Sequence, residues 1–373
     1  MSAPTQHIAA GFIPLLDAAM LIVAREKGFA EEQGIDLELV RETSWASIRD
    51  RVAIGHFDAA HMLAPMAIAG SLQLPPLPVP FIAPVALGTG RNAITISDRV
   101  RDMLDIPADQ PAQDAASAVQ ALATMKRDRM PGEPLVFGAV HAYSAHAYLL
   151  RYWLGAGGLF VGEDVRLEFV PPPFMADALA SGVIDGCCVG EPWNSVAAQA
   201  GTGHVLVSGD NIWPGGPDKV LGLRADWAAD NEDLVLRLVR ALVAAADWTD
   251  DPDNADDLAA VLAAPDYLDT SADILRTGLT GPLSSASAGF ARGGACIPQP
   301  AHAAWFTAQM MRWKEIEYSS QTLDKAMATY RPDLYARATG DTALPGSGAA
   351  TLFDGRDFDP GAVGAYLEQM TSA

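Results

Sequence analysis

LEFVPPPFMADALASGVIDGCCVGEPW (Leu167–Trp193) reads as a strand, a proline-rich turn, a helix closed by glycine, and a second strand that carries Asp185. An earlier stretch, SWASIRDRVAIGHFDAAHML (Ser44–Leu63), ends in the same way. Ser44 is placed to cap a short helix ending at Gly55, and FDAAHML runs on as a buried strand into a turn at Pro65. Both stretches share glycine, any residue, an apolar residue, aspartate and a small residue, at Gly55–Ala59 and at Gly182–Gly186. Two strand–helix–strand units with matching turns predict two similar α/β lobes.

Outward from these units, the chain opens with a strand (His7–Gly11), a glycine turn and a helix over Asp17–Gly34 with Asp17 as its N-cap. A strand follows at Ile35–Arg41. LPPLPVPFIAPVALGTG (Leu74–Gly90) holds too many prolines for a helix, and the polar strand NAITIS (Asn92–Ser97) is the candidate first crossing between lobes. The second crossing is expected at Lys219–Arg224, just after WPGGPDK. These choices put residues 1–91 and 225–373 in the first lobe and 92–224 in the second. Patterns such as NEDLVLRLVRALVAAADWTDD (Asn231–Asp251) predict that the remainder is mainly helical and returns to the first lobe. Leu283–Pro300 reads as a long loop, and beyond Gly340 come further loops and one last helix.

Composition narrows the function. Half of the 373 residues are apolar and 19% are charged, so a real core is expected rather than disorder. Twenty-five Lys and Arg against 46 Asp and Glu leave a formal charge of −21, which argues against nucleic acid or an anionic membrane as a direct partner. An anion site in such a chain must rest on a local cation and oriented N–H groups. The three cysteines, Cys187, Cys188 and Cys296, have neither disulfide nor metal spacing, which suits a reducing compartment. The N-terminus, MSAPTQHIAAGF, has no cationic segment followed by an apolar run, so a cytoplasmic location is expected. No window is long and apolar enough to span a membrane. No Ser-His-Asp pattern, GxGxxG or P-loop stands out, and the expectation is a non-enzyme without cofactor or metal.

Six blocks carry a resemblance: GFIPLLDAAMLIVAREKGF (Gly11–Phe29), ETSWASIRD (Glu42–Asp50), HMLAPM (His61–Met66), RYWLGAGG (Arg151–Gly158), FVPPPFMADALASGVIDGCCVGEPWN (Phe169–Asn194) and PDKVLGLRADW (Pro217–Trp227). In this order they resemble the nitrate/bicarbonate-binding branch of the type II solute-binding proteins. That implies a type II periplasmic-binding-protein fold, α/β, with two lobes, a ligand cleft and two crossing strands. With no leader read, the chain is most similar to the leaderless NasS-type nitrate/nitrite sensors. The resemblance then implies a cytoplasmic sensor that closes around the oxyanion and controls an RNA-binding antiterminator regulator. The alternatives are the substrate-binding component of a nitrate-type or other small-anion ABC importer and, further off, an enzyme like the thiamine-pyrimidine synthases. The last shares the fold and uses pyridoxal phosphate, and Cys187–Cys188 echo its cysteine motif only faintly.

The candidate ligand residues follow from chemistry and resemblance together. Lys219 stands in a stretch poor in other cations, and the family's ligand lysine falls at this position; the plain alternative is a solvated lysine. His146 precedes the apolar helix AYLLRYWL, where a donor and a helix N-terminus both favour an anion, and the family's ligand histidine aligns with it rather than with His141. Trp45 offers an indole N–H, or else is a core tryptophan. Asn92 offers an amide where the family's nitrate importers usually carry glutamine, so its reach is one methylene shorter and nitrate and nitrite both stay open. Gly88 offers a backbone N–H, or is a turn glycine. Asp17, Pro172, Phe174, Glu191 and Trp193 are expected to line the cleft, with Glu191 bonded to backbone or hinge because a carboxylate repels an anion. Lys219 stands where the bicarbonate branch uses an acidic residue to help hold a metal, which argues against that branch.

Overall fold

The computed structural model describes residues 5–76, 78–281, 288–341 and 350–371. Ten of its strands, in chain order, are β1 (Gln6–Phe12), β2 (Ile35–Arg41), β3 (Ala59–Leu63), β4 (Phe81–Ile82), β5 (Asn92–Ile96), β6 (Leu135–Ala139), β7 (Val165–Phe169), β8 (Gly186–Gly190), β9 (His204–Ser208) and β10 (Lys219–Arg224). They form two five-stranded sheets of equivalent topology, β2-β1-β3-β10-β4 and β7-β6-β8-β5-β9. The first three strands of each sheet run parallel, and the inserted strand, β10 or β5, runs antiparallel to its central neighbour.

The repeated glycine–aspartate motif does the same job twice. Gly55 and Gly182 take φ of +78° and +69°, the left-handed region that lets a helix end and the chain turn into a strand. Asp58 N–H then donates to Ala9 O (2.9 Å), while the Asp58 carboxylate accepts from Ala9 N–H (3.0 Å). In the second lobe Asp185 N–H donates to Val136 O (2.6 Å), and the Asp185 carboxylate accepts from Val136 N–H (2.9 Å). Each aspartate locks the start of a central strand to its neighbour and so sets the register.

Several expectations change. Residues 219–224 were placed in the second lobe, but β10 pairs with β3 (Lys219 opposite Leu63), so the second crossing precedes Lys219. A strand pattern reports burial and not which sheet it joins. The stretch Asp17–Gly34 divides into helices Ala19–Glu26 and Phe29–Glu32 around Gly28, whose φ is +80°. Asp17 lies before them in a short 3₁₀ turn, Leu16–Ala18, and caps neither. Trp45–Ala53 is helical, but the Ser44 side chain makes no capping bond. Pro65 begins the helix Ala64–Ser71 rather than a turn, as a proline in the first helical turn can.

The helical tail also divides. Helix Glu232–Asp250 packs on the first lobe beside Ala19–Glu26, whereas helix Pro300–Arg312 reaches the second-lobe helix Ala145–Ala156. Tyr148 Oη donates to Glu315 (2.6 Å), and Tyr152 Oη to Asp354 (3.0 Å), so the C-terminal third ties both lobes together. In the expected loop Leu283–Pro300, residues 282–287 lie outside the described residues. Its described part includes a 3₁₀ turn, Arg292–Gly294. The last helix is Val363–Thr371, and residues 342–349 also lie outside the description. Among the described residues no helix is long and apolar enough to cross a membrane.

Candidate functional site

Lys219 opens β10 at the seam between the lobes, and its side chain is fully enclosed. Its ammonium donates to Asp17 Oδ2 (2.7 Å) and to the Asp218 carboxylate. The cation that reads as solitary in the sequence is thus held between two carboxylates, and the three side chains together carry a net negative charge. Burial would weaken the lysine's hold on its proton, but Asp17 and Asp218 reverse that and strengthen it. Burial would also raise Asp17, but Lys219 and then His61 overcome it and hold this carboxyl well below the usual carboxylate range.

His61 is the one polar residue of β3, whose other members are Ala59, Ala60, Met62 and Leu63. Its Nδ1 accepts the Ile13 N–H (3.4 Å), so in the neutral ring Nε2 carries the proton. That Nε2 lies 2.9 Å from Asp17 Oδ1 but outside hydrogen-bond alignment, and both atoms lack a hydrogen-bond partner among the described residues. The Trp45 ring stands 5.2 Å from the His61 ring and 5.8 Å from Lys219 Nζ. Its Nε1–H is buried with no partner among the described residues.

The second lobe contributes His146 and Asn92. His146 is the second residue of helix Ala145–Ala156, whose N-cap Ser144 accepts from Ala147 N–H (3.0 Å). Its Nε2 lies 3.5 Å from Asp218 Oδ2, yet neither ring nitrogen has a hydrogen-bond partner among the described residues. Burial pushes this imidazole down to about 4, so it is neutral at pH 7. Asn92 opens β5 opposite Gly190, and its Oδ1 is likewise unpartnered among the described residues. A β-carbon on Gly190 would lie 3.3 Å from Leu15, 3.4 Å from Asn92 Oδ1 and 3.7 Å from His146 Nε2, so this glycine leaves room where the two lobes meet.

The remaining candidates divide between a latch and positions outside the cluster. Trp193 Nε1–H donates across the seam to Pro14 O (2.9 Å), and Leu16 N–H donates to Glu191 O (2.8 Å). Both bonds join second-lobe residues to first-lobe ones and hold the two lobes together at the seam. The Glu191 side chain accepts from Ser195 N–H (3.4 Å), and burial pushes its carboxyl up to about 7 against that bond. Phe174 is 51% exposed and not enclosed with Lys219; Pro172 is buried in the short 3₁₀ turn Pro172–Phe174. Gly88 has φ +94°, and a β-carbon there would lie 2.9 Å from Gly289 O, so close backbone approach explains it. Cys187, Cys188 and Cys296 are free and buried, and burial pushes the Cys187 thiol up to about 12, which suppresses thiolate chemistry. Among the described residues no group of three His, Cys, Asp or Glu is gathered that could hold a metal ion.

His61, Asp218 and Gly190 were not singled out in the sequence. A lone polar residue inside an otherwise apolar strand was the available signal for His61. Asp218 reads as an exposed partner of its neighbour, and Gly190 as an ordinary strand glycine.

A family model described as the NMT1-like family matches residues 2–263. The chain belongs to the NMT1-like family. The nitrate/nitrite binding protein NrtA of Synechococcus elongatus is 31% identical over 388 residues, covering 97% of this chain and 86% of that protein. The bicarbonate transport ATP-binding protein CmpC of the same species is 32% identical over 376 residues, covering 98% of this chain and 55% of that protein. The chain therefore spans about half the length of that ATP-binding relative. The crystal structure of the periplasmic nitrate-binding protein NrtA from Synechocystis PCC 6803 superposes with a TM-score of 0.87 at 26% identity, covering 99% of this chain and all of that one. Within the NMT1-like family, the fold is that of the type II periplasmic-binding proteins in the nitrate-binding branch, as the motifs implied.

Proposed function

We propose that this NMT1-like chain is a binding protein that closes around a small planar nitrogen oxyanion, nitrate or nitrite. The observation that carries the reading is a set of buried donors, Trp45 Nε1–H and the His146 imidazole, which find no hydrogen-bond partner among the described residues beside Lys219 at the seam. A buried donor left unpaired costs about 1–3 kcal/mol, so such a set favours an occupant with acceptor oxygens. Nitrate is planar, weakly basic and less strongly hydrated than most oxyanions, so N–H donors in a dry cleft can replace the water it loses. Because Asp17 and Asp218 already offset Lys219, the N–H groups rather than net charge carry the affinity. Trp45 and Lys219 belong to one lobe and Asn92 and His146 to the other, so a ligand touching both favours closure by its differential affinity.

Nitrogen oxyanions are favoured over bicarbonate because among the described residues no group of His, Cys, Asp and Glu is gathered for a metal-assisted site, and the Lys219 ammonium occupies the space between Asp17 and Asp218. Calorimetry is expected to give one nitrate per chain at the cleft. Trp45→Phe, which keeps an aromatic ring but removes the indole N–H, is expected to weaken binding by about ten- to a hundredfold. No heat with nitrate or nitrite defeats the reading, and heat with bicarbonate alone reassigns the ligand.

For the output we propose sensing in the cytoplasm, with the closed form releasing an RNA-binding antiterminator regulator. The acidic surface supports this, since a charge of −21 complements the basic face of an RNA-binding partner. The second reading, delivery to an ABC importer, is favoured by the named relatives. Pull-down of the regulator is expected without nitrate and lost with it. Retention regardless of nitrate contradicts ligand-controlled release, and native protein recovered outside the cytoplasm decides for the importer.

A further inference from the structure

We propose a second, separate ligand site behind the first crossing, centred on Arg91, that takes a short-chain monocarboxylate. Arg91 is only 8% exposed, and its guanidinium lies 4.3 Å over the Phe290 ring. Its Nε and Nη1 have no hydrogen-bond partner among the described residues. A guanidinium stays charged, and its planar fork matches a carboxylate.

The side chain lines a cavity of about 320 Å³ together with Arg292, Ala255, Leu258, Leu279, Asp250 and Asp251, the last of which accepts the Asp253 N–H (3.0 Å). The charged groups that act most on Arg91 are Asp250, Asp17, Glu191 and Arg292. None is hydrogen-bonded to Arg91, and each acid has other work. Asp250 accepts the backbone N–H groups of Phe290 (3.0 Å), Ala291 (2.7 Å) and Arg292 (2.7 Å). Asp17 holds Lys219, and Glu191 accepts from Ser195. The apolar wall of Ala255, Leu258 and Leu279 suits the carbon body of an organic acid. The nearby carboxylates disfavour a doubly charged anion such as phosphate. The site is distinct from the Lys219 cleft, although Arg91 precedes Asn92 and its carbonyl accepts the Glu191 N–H (3.0 Å).

Calorimetry with butyrate as the probe, with and without saturating nitrate, tests this on the full chain. Butyrate is expected to bind in both conditions. Arg91→Gln is expected to weaken it by about tenfold or more, and Arg91→Lys by less, because charge is kept while the fork is lost. Ala255→Phe fills the cavity without touching a charge and is expected to abolish butyrate binding. Circular dichroism verifies the fold of each variant. Butyrate affinity unchanged in Arg91→Gln and Ala255→Phe overturns the proposal. So does butyrate binding that nitrate displaces and Trp45→Phe weakens, since that would put the acid in the cleft. Failure of nitrate to bind leaves the butyrate result independently readable.

Discussion

Lys219→Met is expected to cost about 3–5 kcal/mol of stability and to abolish oxyanion binding. The reason is tertiary. The ammonium is enclosed, 2.7 Å from Asp17 and bonded to Asp218, so its removal strands two buried carboxylates without a counter-charge. Stability and binding therefore fall together, and the variant is not a silent binding knockout. Adding Asp17→Asn and Asp218→Asn to Lys219→Met is expected to restore more than half of the lost stability and part of the binding, since the two stranded carboxylates are neutralised while the Trp45 and His146 N–H groups remain. Urea unfolding at pH 7 measures the first, and calorimetry with nitrate the second. A single variant as stable as the parent would show that the pair contributes nothing to the fold. The sign of the acid dependence follows from the depressed Asp17 carboxyl. Its contribution is fully present above the ordinary aspartate value of 3.8 and is lost as pH falls toward the depressed value.

Trp305→Ala is expected to cost about 3–5 kcal/mol as a large buried side chain is emptied. Trp305 is fully buried, with its ring 4.6 Å from Trp213, 5.9 Å from Tyr152 and 5.4 Å from Phe306. Two of those neighbours matter for the site. Trp213 stands just ahead of the second crossing, and Tyr152 lies on the helix whose first turn presents His146. The substitution is therefore expected to weaken nitrate binding as well as stability, although it lies outside the pocket. Trp305→Phe, which retains most of the volume, is expected to lose less of both. Thermal unfolding and calorimetry on the same samples test the link. A Trp305→Ala protein with full nitrate affinity would show that this aromatic cluster does not position His146.

Some of this architecture was legible because its causes are local. Gly55 and Gly182 end helices in the left-handed region, and the aspartate three residues later locks a strand, so one short motif marked the same corner in both lobes. FDAAHML was legible as a buried strand and NAITIS as a polar one, for a similarly local reason, whereas the full burial of Asn92–Ile96 came from its place inside the second sheet. Trp45, Asn92, His146 and Lys219 were legible as candidates from donor chemistry read beside family motifs. Phe174 was not, because a proline-rich turn does not reveal which way its aromatic faces.

By itself the sequence determined two α/β lobes, the motifs that start their central strands, and the residue types suited to an anion at a seam. Only the tertiary structure decided which sheet takes residues 219–224, how the helical tail divides between the lobes, and what Lys219 is. Asp17 and Lys219 are separated by 202 positions in the chain and meet at 2.7 Å. No local pattern encodes such a meeting, since it depends on the chain crossing back from the second lobe to add β10 beside β3 in the first-lobe sheet. That contact turns a solitary cation into a buried, compensated one, and it shifts the source of anion affinity from charge to the unpaired N–H donors around it.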